Sequence, residues 1–63
     1  MKKMTLEAAR VNAGLTIEEA AQKLGMNRVT LLNYEKARSF PTVPTIQRME
    51  KLYGVEYKDI SFT

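Results

Sequence analysis

The 63-residue chain has no cysteine and no histidine. No disulfide can therefore staple it, and a structural zinc site would lack its usual sulfur and imidazole ligands. Without histidine the commonest general base is also missing, and the seven carboxylates show no paired spacing that would converge in so small a fold. Catalysis is not expected, and no metal, cofactor or small-molecule ligand is implied. Long apolar runs are absent as well, so nothing approaches the ~20 residues needed to cross a bilayer. Met1, Lys2 and Lys3 lead into a charged helical segment and not into the apolar stretch of a signal peptide. A soluble, cytoplasmic, single-domain protein spanning residues 1–63 is expected. Its core must come from packed helices or a partner chain, because a domain this short buries only about 60% of the surface its unfolded chain exposes.

What is present is modestly basic, with a net charge of +3 and an isoelectric point near 9.5. The distribution says more than the total. Between Asn27 and Arg48, the cations Arg28, Lys36, Arg38 and Arg48 face only Glu35, and the first ten residues carry Lys2, Lys3 and Arg10 against Glu7. Either a phosphate-facing surface or an ordinary solvated one fits that excess.

Turn signals at Gly14, Gly25, the Arg38–Pro44 stretch and Gly54 divide the chain into short helical pieces. Thr5 can cap a first helix to Ala13, with Leu6, Ala9, Arg10 and Ala13 on one face. Thr16-Ile17-Glu18-Glu19 is a capping box, in which the Thr16 hydroxyl accepts from the Glu19 amide and the Glu19 carboxylate accepts from the Thr16 amide. Ile17, Ala20, Ala21 and Leu24 form the apolar side of this second helix, and Gly25 supplies the positive φ of a tight exit. Asn27 can cap a third helix, to about Lys36, with Thr30, Leu31 and Tyr34 facing inward and Arg28, Val29, Leu32 and Asn33 outward. Pro41 and Pro44 bias residues 39–44 toward a loop. A fourth helix follows with Ile46, Met49, Leu52 and Tyr53 inward, then Gly54, Val55 and a last turn around Tyr57 to Ile60; no strand pattern competes. Two short helices separated only by Gly25 and Met26 cannot form an antiparallel hairpin, so they should cross steeply as a helix-turn-helix, with Met26 over the core between them.

The run Gly14-Leu15-Thr16-Ile17-Glu18-Glu19-Ala20-Ala21-Gln22-Lys23-Leu24-Gly25-Met26-Asn27-Arg28, the framework residues Leu31 and Glu35, and the closing Leu52-Tyr53-Gly54-Val55 resemble the phage repressor and Cro family of helix-turn-helix proteins. The resemblance covers nearly the whole chain. It implies an all-α, lambda repressor-like five-helix bundle, and a small bacterial or phage-encoded repressor that binds double-stranded DNA as a homodimer. It also implies that Asn27, Arg28, Val29, Leu32 and Asn33 lie over bases, that Thr16, Lys36 and Arg38 grip phosphates, and that Arg10 and Glu35 form a salt bridge.

These residue types have fitting chemistry. Arg28 can chelate guanine O6 and N7, and Asn33 can pair with adenine N6 and N7, each bidentate contact discriminating bases by about 1–3 kcal/mol. Asn27 already has work as a cap and would bring only its remaining hydrogen-bonding capacity to DNA. Val29 and Leu32 can pack on a thymine methyl or can complete the core or a protein interface. Lys36, Arg38, Lys2 and Lys3 can neutralise phosphates without reading sequence. Arg10 and Glu35 should meet if both are buried, since either charge alone would cost several kcal/mol.

Two positions depart from the family. Ile17 stands where glutamine is common, so it cannot brace a phosphate by hydrogen bonding and must pack on helix three or on DNA. Ala20 stands where leucine is usual. The competing function is a protein-interaction module on the same scaffold, antitoxin-like or antirepressor-like, using Val29 and Leu32 as an apolar patch. A single helix-turn-helix contacts little DNA, so two copies on half-sites about one helical turn apart are expected. Tyr57, Ile60 and Phe62 either form that dimer interface or close the monomer core.

Overall fold

A computed structural model describes residues 3–61. The order is β1 (Met4–Thr5), α1 (Leu6–Asn12), α2 (Ile17–Leu24), α3 (Arg28–Glu35), α4 (Val43–Tyr53), a 3-10 turn (Tyr57–Asp59) and β2 (Ile60–Ser61). The helical architecture is as expected, but the fifth helix is not formed: the segment after Gly54 makes one 3-10 turn and then a strand. Ile60 and Ser61 run parallel to Met4 and Thr5, pairing Met4 with Ile60 and Thr5 with Ser61. A ladder of two residues per strand is too short to show the alternation by which a strand is read from sequence.

Each helix starts where its cap residue requires. The Thr5 hydroxyl accepts from the Ala8 amide at 3.1 Å, and the capping box of α2 is complete, with Thr16 and Glu19 exchanging bonds of 3.0 and 3.1 Å. The two bonds from Thr16, its backbone amide first, hold the Glu19 carboxyl below its ordinary range. Helix α4 begins earlier than its prolines suggest. Thr42 is its N-cap, and Val43 and Pro44 lie inside its first turn, where an amide has no intrahelical acceptor and a missing N–H costs nothing.

The exits of α2 and α3 share one hydrogen-bond pattern. Gly25 at φ +71° ends α2, and the Met26 amide reaches back to the Ala21 carbonyl at 2.9 Å. At the end of α3 the Arg38 amide reaches the Asn33 carbonyl at 2.9 Å, but the left-handed residue is Ala37, at φ +58°. That conformation brings Cβ against backbone, a strain glycine avoids.

Leu6, Leu31 and Met49 are the largest fully buried side chains, joined by Ala9, Ala20, Ala21, Leu24, Tyr53 and Ile60. Ala20 is completely buried, and Ala21 nearly so, so α2 contributes small side chains to its neighbours. Ile17 and Met26 pack half-buried against this core. Ala13, expected on the inner face of α1, is exposed because the helix has already ended at Asn12. Ile60 is buried in the monomer core, whereas Tyr57 is exposed; Phe62 lies outside the described residues, as does Lys2.

Candidate nucleic-acid interface

The inner edge of α3 is anchored by a charge pair. Arg10 on α1 donates through Nε to Glu35 Oε2 at 2.8 Å and through Nη2 to Oε1 at 3.4 Å, and Nη1 donates to the Leu15 carbonyl at 2.9 Å. The two side chains are only 12% and 4% exposed. The Glu35 hydrogen bond raises the Arg10 pKa further above its already high value, more than burial lowers it. Removing either partner would leave a nearly desolvated charge. The pair joins α1 to the end of α3 and so fixes how α3 sits on the core. Tyr53, from α4, is close enough to feel both charges, and its buried hydroxyl has no hydrogen-bond partner among the described residues.

The outer edge of α3 carries different chemistry. The Asn27 Oδ1 accepts from the Val29 amide at 2.8 Å, so its oxygen is committed to the cap and both Nδ2 hydrogens stay available to an external acceptor. Arg28 and Val29 are exposed, Val29 at 58%. Leu32 and Asn33 are half-buried, less open than a fully outward reading would have them. Leu32 does not join the side chains packed on the core. Lys36 and Arg38 are exposed at the end of α3. Thr16 is exposed at the start of α2, and its hydroxyl hydrogen is still free to donate although its oxygen caps Glu19.

Glu18 links these two helix starts, and the sequence reading did not single it out. Its Oε2 lies 3.8 Å from Arg28 Nη2 with both side chains more than half exposed. The first turns of α2 and α3 therefore share one surface. An exposed pair of this kind is worth about 0–1 kcal/mol, so Arg28 is steered but easily released. Arg48 has a different role from the other cations of its segment. Its Nη1 donates to the Leu24 carbonyl at 3.4 Å, placing a positive charge at the C-terminus of α2, where the helix dipole favours it. A one-dimensional count of charge could not separate this cation from Arg28, Lys36 and Arg38.

A short α2, a tight glycine exit and an exposed α3 packed on the same core define a helix-turn-helix. Residues 6–60 match the family described as helix-turn-helix, and the chain belongs to that family. It is 35% identical over 51 residues to the cryptic phage CTXphi transcriptional repressor RstR of Vibrio cholerae, covering 81% of this chain and 46% of that protein. It is 40% identical over 50 residues to the regulator ImmR of Bacillus subtilis, covering 79% and 39%. It is 34% identical over 58 residues to an uncharacterized helix-turn-helix regulator, MJ0272, of Methanocaldococcus jannaschii, covering 92% and 88%. The chain thus spans less than half the length of the first two relatives. No solved structure matches it. The resemblance to phage repressors is borne out. No helix among the described residues is long and apolar enough to cross a membrane.

Proposed function

We propose that this protein is a transcriptional repressor that reads double-stranded DNA with the outer edge of α3, acting as a homodimer in the cytoplasm of a bacterial host. Asn27, Arg28, Val29, Leu32 and Asn33 lie over base edges in the major groove, and Thr16, Lys36 and Arg38 hold phosphates on either side. The observation that carries this reading is the contrast across α3: a fully buried Leu31 and the Arg10–Glu35 pair fix one edge, while Arg28 and the spare Asn27 donors are left at the exposed first turn. Such an edge offers hydrogen-bond donors to guanine N7 and O6 or adenine N7 without rearranging the fold. The repressor sense and a phage-encoded origin draw on the cryptic phage repressor among its relatives.

The test is selection of binding sites from random duplex DNA, for the wild type and Arg28→Ala, with final affinities measured at two salt concentrations. An enriched, near-palindromic site is expected, with preference at one position relaxed by about 1–3 kcal/mol in the variant and with affinity falling steeply as salt rises. No enrichment by a folded protein would overturn the reading and leave the protein-interaction module, whose apolar contacts through Val29 and Leu32 would be far less sensitive to salt.

A further inference from the structure

One charge at the candidate interface has the wrong sign for a surface that faces phosphates. The first turn of α2 carries two carboxylates, Glu18 and Glu19. Glu19 is committed to the capping box, where it accepts from the Thr16 amide. Glu18 is more than half exposed, and its only partner among the described residues is Arg28, with Oε2 3.8 Å from Nη2. It follows Thr16 by two residues, so it stands between a side chain assigned to phosphate and one assigned to a base.

We propose that Glu18 is a specificity-determining residue that acts through Arg28, keeping its guanidinium for guanine and withholding it from phosphate. The inference rests on the DNA-binding reading above. Arg28 has two destinations on a duplex. Guanine O6 and N7 occur only at particular positions of a sequence, whereas every nucleotide offers phosphate oxygens, so an unrestrained arginine at the rim of the groove binds without reading.

Charge separates the two destinations. The guanine edge is neutral and approaches the Glu18–Arg28 pair without like-charge repulsion. A phosphate reaching Arg28 must also come close to the Glu18 carboxylate, which repels it. Donor geometry permits the first arrangement, because a guanidinium has five N–H donors in a fixed fork and one turned toward Glu18 leaves enough for a bidentate contact with guanine. The strength of the pair suits this role. An exposed pair shifts an equilibrium by no more than about fivefold, too little to hold Arg28 against guanine but enough to tilt it away from a phosphate contact that is itself solvated. An acid in a first turn also favours the helix dipole, and Glu19 supplies that charge whether or not Glu18 is present.

The test compares wild type, Glu18→Gln, Arg28→Ala and the double variant. Affinities would be measured for the selected duplex, for that duplex with the guanine read by Arg28 replaced, and for an unrelated duplex, at two salt concentrations, with thermal melts in parallel. Glu18→Gln should leave affinity for the selected duplex within about twofold and raise affinity for the other two by about two- to fivefold, so the ratio of specific to non-specific binding falls. On the unrelated duplex the slope of log affinity against log salt should steepen by up to about 0.9, as Arg28 neutralises one more phosphate. In the Arg28→Ala background the same change should leave the ratio unaltered, since what remains is a uniform loss of repulsion. Equal gains on all three duplexes would overturn the inference and make Glu18 a bystander charge; a lower Tm with an unchanged or higher ratio would overturn it and make Glu18 an acid of the helix start. A selected site whose preference ignores Arg28→Ala would overturn it as well. A wild type that selects no site would sink the DNA reading and this inference together, whereas a selected site with an unchanged ratio in Glu18→Gln sinks the inference alone.

Discussion

The two edges of α3 are made from one run of eight residues and could hardly differ more. On the inner edge Leu31 is fully buried and Glu35 is only 4% exposed with its carboxylate bonded twice to Arg10. On the outer edge Val29 is 58% exposed and Arg28, among the described residues, has only a long, solvated contact to Glu18. Glu35 and Arg28 are both charged, yet their neighbours give them opposite roles. Desolvation and bidentate geometry make Glu35 a determinant of how α3 is held, whereas solvent leaves Arg28 free to exchange partners. Stability and recognition should therefore be separable along this one helix.

The largest expected effect is on the inner edge. Glu35→Ala leaves Arg10 charged and nearly desolvated, and should cost about 3–5 kcal/mol. For a domain of this size each kcal/mol lowers Tm by about 4–8 °C, so thermal melts should show a midpoint lowered by roughly 12–40 °C. A melt within a few degrees of wild type would show that the two edges are not energetically distinct.

On the outer edge the sign of the contrast reverses. Asn33→Ala should relax preference at one base pair by about 1–3 kcal/mol, measured by competition between selected and substituted duplexes, while Tm stays nearly unchanged. Asn33 is half-buried, which makes it the sharper probe: a loss of stability with no change in base preference would move it to the inner set.

How much of this was legible in the sequence depended on how local each cause was. The capping box of Thr16 and Glu19 and the Asn27 cap are written in a few adjacent residues, and the helices start where those residues say. Val43 and Pro44 misled because proline marks a boundary equally well before or just inside a helix, and only the Thr42 backbone, extended at ψ 164°, decides which. The β1–β2 ladder joins residues more than fifty positions apart, and nothing in either dipeptide announces it. At the candidate site, residue types suggested which side chains could meet bases. They could not show that Glu18 lies beside Arg28, or that Arg48 is turned to the end of α2. Those are consequences of how the helices cross, not of spacing along the chain.

A smaller effect separates the two helix exits. At Ala37 the left-handed backbone costs what Gly25 avoids, so Ala37→Gly should stabilise the protein by roughly 0.5–1 kcal/mol, the larger backbone entropy of glycine offsetting part of the relief. The Arg38 amide keeps its bond to Asn33 in either case. Affinity for DNA and its salt dependence should therefore be unchanged. A change in salt slope would mean that the strained exit itself aims Arg38.

The smallest effect tests the completeness of the inner edge. Tyr53 buries a hydroxyl with no partner among the described residues beside a charge pair whose own bonds are made. An unpaired buried polar group is a cost, so Tyr53→Phe should be neutral or stabilising by up to about 1 kcal/mol at neutral pH. Burial first, and then the negative charge of Glu35, push the Tyr53 pKa up from 10.0 to about 12. The folded state thus holds the phenolic proton more tightly than the unfolded chain. Below pH 10 both states are protonated and stability is independent of this group; as pH rises from about 10 toward 12 the unfolded chain ionises first and folding stability falls. Phenylalanine removes that loss. The stability difference between variant and wild type should be flat from pH 7 to about 9.5 and then grow in favour of the variant. A variant that is less stable by more than about 1 kcal/mol at pH 7 would mean that the hydroxyl serves the Arg10–Glu35 pair after all, and that the inner edge of α3 is a three-residue network and not a pair.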